Sequence, residues 1–112
     1  MKTITKPLRV IIACLAAWSV HAADAVALWD KHCTSCHAKD GSGDTRMGKK
    51  VNVKDYRDPK VQEGLNDDQG IKALKEGLTE KGQQRMKPFA DKITDEEIRE
   101  LIKHLRGFKK TP

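Results

Sequence analysis

Cys33-Thr34-Ser35-Cys36-His37 is the segment of this chain with the clearest chemistry. The pattern C-x-x-C-H attaches a c-type haem. Two thiols three residues apart on one helical turn can reach the two vinyl groups on one edge of the macrocycle and form thioethers with them. The adjacent histidine then falls beneath the ring, where its imidazole can bond the iron. Cys33, Cys36 and His37 would thus fix the position, orientation and first axial ligand of one covalently bound haem c. A structural zinc site needs four ligands, usually from two separated pairs, whereas His32, Cys33, Cys36 and His37 crowd one turn and no second pair exists. A thioredoxin-like dithiol needs a βαβ setting, and none is readable.

Composition agrees with a cofactor at the centre of the fold. The chain has 112 residues, enough for one domain, and its aromatic content is 4%. Trp29, Tyr56, Phe89 and Phe108 are the aromatic residues beyond the N-terminal segment. So small a domain seldom builds a sufficient core from side chains alone, and a cysteine pair this close cannot staple distant segments. A large apolar cofactor makes up the deficit.

The first 22 residues read as a cleaved signal peptide. Lys2, Lys6 and Arg9 precede an apolar run from Val10 to Val20, which is too short to cross a bilayer. Val20-His21-Ala22 places small residues where a signal peptidase cuts, so residues 23–112 form the expected mature domain. Cleavage removes Cys14 and three of the 22 basic residues. That leaves 19 basic against 16 acidic residues, a net charge of +3. Such a charge gives nucleic-acid binding no support. Stable membrane insertion after cleavage is not expected, and the periplasm is the expected compartment.

The remaining elements must position the motif. Residues 23–37 read as a helix running into the cysteines, with Val26, Trp29 and Cys33 on one face. Residues 38–56 are rich in Gly, Lys and Asp and read as a long loop. Asp58-Pro59 starts a short helix with Val61 and Leu65 on one face, and Asn66 caps a second that stops at Gly77. A further loop over residues 79–93 contains Met86-Lys87-Pro88-Phe89. Thr94-Asp95-Glu96-Glu97 is a capping box for a last amphipathic helix, with Ile98, Leu101, Ile102 and Leu105 as its stripe and Gly107 as its end. No alternating strand pattern is visible, and the fold class is all-α.

With these residues in view, the mature sequence resembles a class I monohaem cytochrome c over nearly its whole length. The matching features are the first helix leading into CTSCH, the Gly-rich segment after it, the M-K-P-F loop and the last helix ending H-L-R-G-F. The resemblance implies four to five helices around one haem, with the N- and C-terminal helices crossing beside it. It also implies a methionine from the late loop as the sixth iron ligand, which on this chain is Met86. His104 departs from the family, which commonly has an aromatic residue there against the first helix.

The residues taken by themselves also lean to Met86. Met1 leaves with the leader, and Met47 follows His37 too closely to reach the opposite haem face easily. Pro88 stiffens the Met86 loop. Met47, His104, a lysine or an open site are the alternatives. Ile71, Leu74, Leu78, Phe89, Ile98, Leu101 and Leu105 are expected to line the pocket, and Tyr56, Arg57 or Arg46 could meet the propionates. His32 is expected to face solvent.

A His/Met pair favours reduced iron, and with both axial positions filled a substrate binds only by displacing a ligand. The expectation is a soluble, monomeric electron carrier and not an enzyme. Its partners would be membrane-bound or periplasmic oxidoreductases, steered by Lys49, Lys50, Lys54, Lys87, Lys109 and Lys110. If Met86 is not the sixth ligand, the alternatives are a small peroxidase-like haem enzyme, a haem-based sensor or a subunit of a dehydrogenase complex.

Overall fold

A computed structural model describes residues 2, 12–14 and 22–110. The expected leader and the basic and apolar residues that define it lie almost wholly outside the described residues. The described helices are α1 (Ala22–His32), α2 (Thr34–His37), α3 (Arg46–Val51), α4 (Pro59–Gly64), α5 (Asp67–Glu76) and α6 (Asp95–Arg106). A two-stranded antiparallel hairpin, β1 (Leu78–Glu80) and β2 (Gln83–Met86), lies between α5 and α6. The architecture is helical throughout except for this hairpin.

Caps legible in the sequence set several of the boundaries. The Asp58 carboxylate accepts from the Lys60 N–H at 2.9 Å ahead of Pro59, and Asn66 caps α5 by accepting from Gln69 at 3.0 Å. At α6 the capping box closes in both directions: Thr94 Oγ1 accepts from the Glu97 N–H at 3.2 Å, and Glu97 Oε1 accepts from the Thr94 N–H at 2.9 Å. Gly77, with φ of 77°, ends α5 in a conformation that glycine adopts without strain.

The terminal helices α1 and α6 make the most extensive contact between elements, as the resemblance implied. Trp29 from α1, Ile98 and Leu101 from α6, and Phe89 and Ile93 from the segment between form the buried core. The packing face of α1 runs through Ala25 and Trp29, and Val26, expected on it, is 46% exposed. One helical step separates Val26 from Ala25, and the larger Trp29 ring decides the rotation. Helix α5 approaches α6 closely at Gly70, where a Cβ would sit 2.9 Å from Ile102 Cδ1. The glycine that weakens α5 by propensity therefore lets the two helices pack.

Three local expectations are corrected. The first helix breaks at Cys33, so the motif occupies its own turn, α2. The Gly-rich stretch contains α3, a helix too short to show a period, started by Thr45 Oγ1 accepting from the Gly48 N–H at 2.8 Å. The late loop folds into the hairpin, whose strands of three and four residues leave no room for visible alternation.

The buried polar side chain Gln62 ties the middle of the chain to the end. Its amide donates to the carbonyls of Tyr56 at 2.7 Å and Leu105 at 2.9 Å. Arg106 donates to the Gln62 carbonyl at 2.6 Å and to the Leu65 carbonyl at 2.9 Å, and pairs with Asp67.

Candidate functional site

The motif turn is framed by its backbone. Cys33 N–H donates to Trp29 O at 2.8 Å, and the Cys33 carbonyl accepts from His37 N–H at 2.9 Å. The Cys36 carbonyl accepts from Thr45 Oγ1 at 2.8 Å, and the His37 carbonyl accepts from Gly43 N–H at 2.9 Å. Ala38 turns the chain out of α2 with φ of 61°, and its carbonyl is held by Trp29 Nε1–H at 2.9 Å. With the backbone groups satisfied locally, the three reactive side chains of the motif are left free for a cofactor.

Those side chains have the state a covalent haem requires. Cys33 and Cys36 are both free thiols and half-buried, and Cys33 packs against the core. Burial, and then the neighbouring Cys36, push the Cys33 thiol up to about 12. A redox dithiol would show the opposite, a depressed thiol pKa. Burial also lowers the His37 pKa, so the imidazole is neutral at neutral pH and keeps a lone pair for a metal. The His37 ring lies 5.6 Å from Trp29 and stacks on Tyr56 at 5.3 Å, and its Nδ1 is buried without a hydrogen-bond partner. A buried imidazole nitrogen with no partner is an unfilled bonding position beside two uncommitted thiols, and haem c fits that donor set. Among the described residues no group of three or more His, Cys, Asp or Glu could hold a metal ion by itself.

Met86 ends β2, half-buried, and packs on the same core cluster as Cys33, Tyr56 and Leu74. Phe89 N–H donates to Leu74 O at 2.8 Å, which ties the M-K-P-F segment to α5. Met47 on α3 is 47% exposed. Of the expected pocket residues, Phe89, Ile98 and Leu101 are buried, and Ile71, Leu74 and Leu105 pack around them. Leu78 is 43% exposed, because Gly77 ends α5 and diverts the chain into β1 away from the apolar face of that helix.

The polar candidates separate. Tyr56 faces His37. Arg57 is committed to carboxylates: it donates to both oxygens of Asp55, at 3.0 and 2.9 Å, and to Asp40 at 3.3 Å. Arg46 is exposed on α3. His32 is half-buried, edge-on to Phe89 at 5.7 Å, and does not simply face solvent, since the break after it turns that side of α1 toward the 86–89 segment. His104 supplies the contact the family makes with an aromatic residue, its ring 5.4 Å from Trp29 and 4.9 Å from Phe108. Trp29 as a motif-positioning group, Gln62 and Arg85 carry no signature in the sequence; the first is a core residue by pattern, and the other two look like surface groups.

Fold and motif together define a class I c-type cytochrome. A family model described as cytochrome c oxidase, cbb3-type, subunit III matches residues 21–105, and the chain belongs to this family. As a c-type cytochrome it carries covalently bound haem c with iron. Among solved structures it is similar to the KustC0563 c-type cytochrome, at 32% identity and a TM-score of 0.69, over 77% of this chain and 98% of that one. A tyrosine-to-phenylalanine mutant of the same cytochrome matches at 32% identity and a TM-score of 0.67, over 77% of this chain and 99% of that one. No curated protein sequence matches significantly.

Proposed function

We propose that the protein is an exported, periplasmic electron carrier in which Cys33 and Cys36 hold the haem through thioethers and His37 and Met86 are the axial iron ligands. The observation that carries the reading is the placement of Met86, half-buried on the core cluster against which Cys33 also packs, while Met47 is left exposed. The haem supplies a one-electron couple. The protein's own residues fix its edge at the motif, keep the imidazole neutral and exclude water with the α1–α6 core. With sulfur and nitrogen at the two axial positions, reduced iron is favoured and small ligands are kept out.

The leader and the start of the family match at residue 21 both support export with a mature domain beginning near residue 23. No described helix is long and apolar enough to cross a membrane. The partners are redox proteins, membrane-bound or periplasmic, docking on a rim that includes Lys50, Lys54, Lys87 and Lys109, all exposed. The oxidised visible spectrum of the purified holoprotein tests the ligation: the weak methionine-to-iron charge-transfer band is expected, and its absence rules out the His/Met pair. Indifference of the reduced protein to carbon monoxide at neutral pH separates a carrier from a peroxidase-like enzyme.

A further inference from the structure

We infer that Arg85 is a haem-binding residue whose guanidinium donates to a propionate carboxylate. The inference rests on the haem and Met86 reading above and extends it to the neighbouring side chain.

The hairpin register places Leu78 opposite Met86 and Thr79 opposite Gln84, which leaves Arg85 unmatched in a bulge. An extra residue in one strand breaks the strict alternation of faces and can re-aim a side chain. That has happened here: Gln83 and Gln84 are exposed, whereas Arg85 and Met86 are both half-buried, although neighbours on a regular strand point opposite ways. The bulge therefore turns a cation toward the interior beside the proposed sulfur ligand.

The Arg85 side chain is 22% exposed, and its Nε is buried with no hydrogen-bond partner. Glu80 Oε2 lies 3.9 Å from that nitrogen, beyond hydrogen-bond range. A guanidinium cannot shed its charge, so a buried N–H of this kind needs an acceptor. Its planar fork suits a carboxylate. The other arginines offered by the sequence do not fill the role, since Arg57 is already bidentate to Asp55 and Arg46 is exposed. Haem c brings two carboxylates into a domain whose carboxylate-binding arginine is otherwise missing.

The test uses purified holoprotein with Arg85→Gln, Arg85→Lys and Glu80→Gln. Arg85→Gln is expected to lower the reduction potential, because loss of a nearby positive charge favours ferric iron. It is also expected to shift the propionate carboxylate bands in the redox-difference infrared spectrum. Arg85→Lys should recover most of the potential while still shifting those bands, and Glu80→Gln should leave both unchanged. An Arg85→Gln protein with unaltered potential and propionate bands overturns the inference, as does a Glu80→Gln protein that reproduces the Arg85→Gln changes. An acidic partner protein as the true acceptor would give that first negative result, since the isolated protein is measured. If Arg85→Gln fails to mature, the band shift in Arg85→Lys decides. The charge-transfer band is recorded in every sample: its absence from the wild type defeats Met86 ligation, while the propionate bands still decide Arg85.

Discussion

The rings of Trp29 and His104 meet 5.4 Å apart, tilted by 59°, where α1 crosses α6. The same indole lies 5.6 Å from His37 and 5.0 Å from Phe108, and its Nε1–H holds the Ala38 carbonyl at 2.9 Å. Trp29 thus joins the helix crossing to the turn that presents the imidazole. Trp29→Phe keeps the ring contacts but leaves the Ala38 carbonyl without its donor, and about 1 kcal/mol of stability should be lost. Trp29→Ala should cost about 3–5 kcal/mol through the cavity. Denaturant unfolding of the holoprotein measures both, and a Phe variant as stable as wild type would remove the hydrogen bond from this account.

His104 gives the crossing a pH dependence. Burial holds its pKa below the ordinary imidazole value, and the Asp30 charge opposes that shift. A base with a depressed folded pKa binds more protons when unfolded, so stability rises with pH in this window and falls on acidification from about pH 6.5 toward the folded pKa. His104→Phe removes the titration. Its stability should depend less steeply on pH between about pH 7 and pH 5 than that of wild type. An unchanged slope in matched melts would show that folding does not sense this imidazole.

Gly48 lies inside α3, where alanine is ordinarily better by about 1 kcal/mol. A Cβ at this position would collide with the Cys36 carbonyl and lie 2.5 Å from the Gly43 carbonyl, both backbone atoms that cannot move aside cheaply. Gly48→Ala should therefore destabilise by about 1–3 kcal/mol despite its propensity. The yield of covalently loaded haem should drop with it, because the colliding carbonyl belongs to the motif. Thermal melts and haem-per-protein absorbance ratios check the two effects separately.

Gln62, 4% exposed, is the donor that holds the Tyr56 carbonyl while Tyr56 stacks on His37. Gln62→Leu preserves volume and removes the amide. The Leu105 carbonyl keeps the Phe108 N–H at 3.2 Å, so the expected loss is that of one unsatisfied carbonyl, about 1–3 kcal/mol. A stability change near zero would mean that water replaces the amide.

What the sequence made legible was the part written in local rules. The C-x-x-C-H turn, the Thr94 capping box, the Asp58-Pro59 start and the Asn66 cap each involve residues within a few positions of one another. The hairpin, α3 and the inward turn of Arg85 depend on pairings too short to leave a period or on a register slip of one residue. Gln62 was hidden because its partners include Leu105, 43 residues away. His104 illustrates the intermediate case: its type departs from the family, yet its ring makes the contact the family makes there.

Met86 is the residue on which electron transfer, as distinct from haem attachment, depends. Met86→Ala should abolish the methionine-to-iron band, lower the reduction potential and let the reduced protein bind carbon monoxide, because one axial position opens. Met47→Ala should change none of these, since Met47 is 47% exposed on α3. The pair of variants separates ligation from packing: loss of a thioether from the core at Met86 would lower stability alone, without a new carbon monoxide complex. If Met47→Ala, and not Met86→Ala, removes the band, the sixth ligand comes from α3. Charge steering can be read from the same proteins, since electron exchange with an acidic redox partner should slow with rising ionic strength in wild type and in Met47→Ala alike.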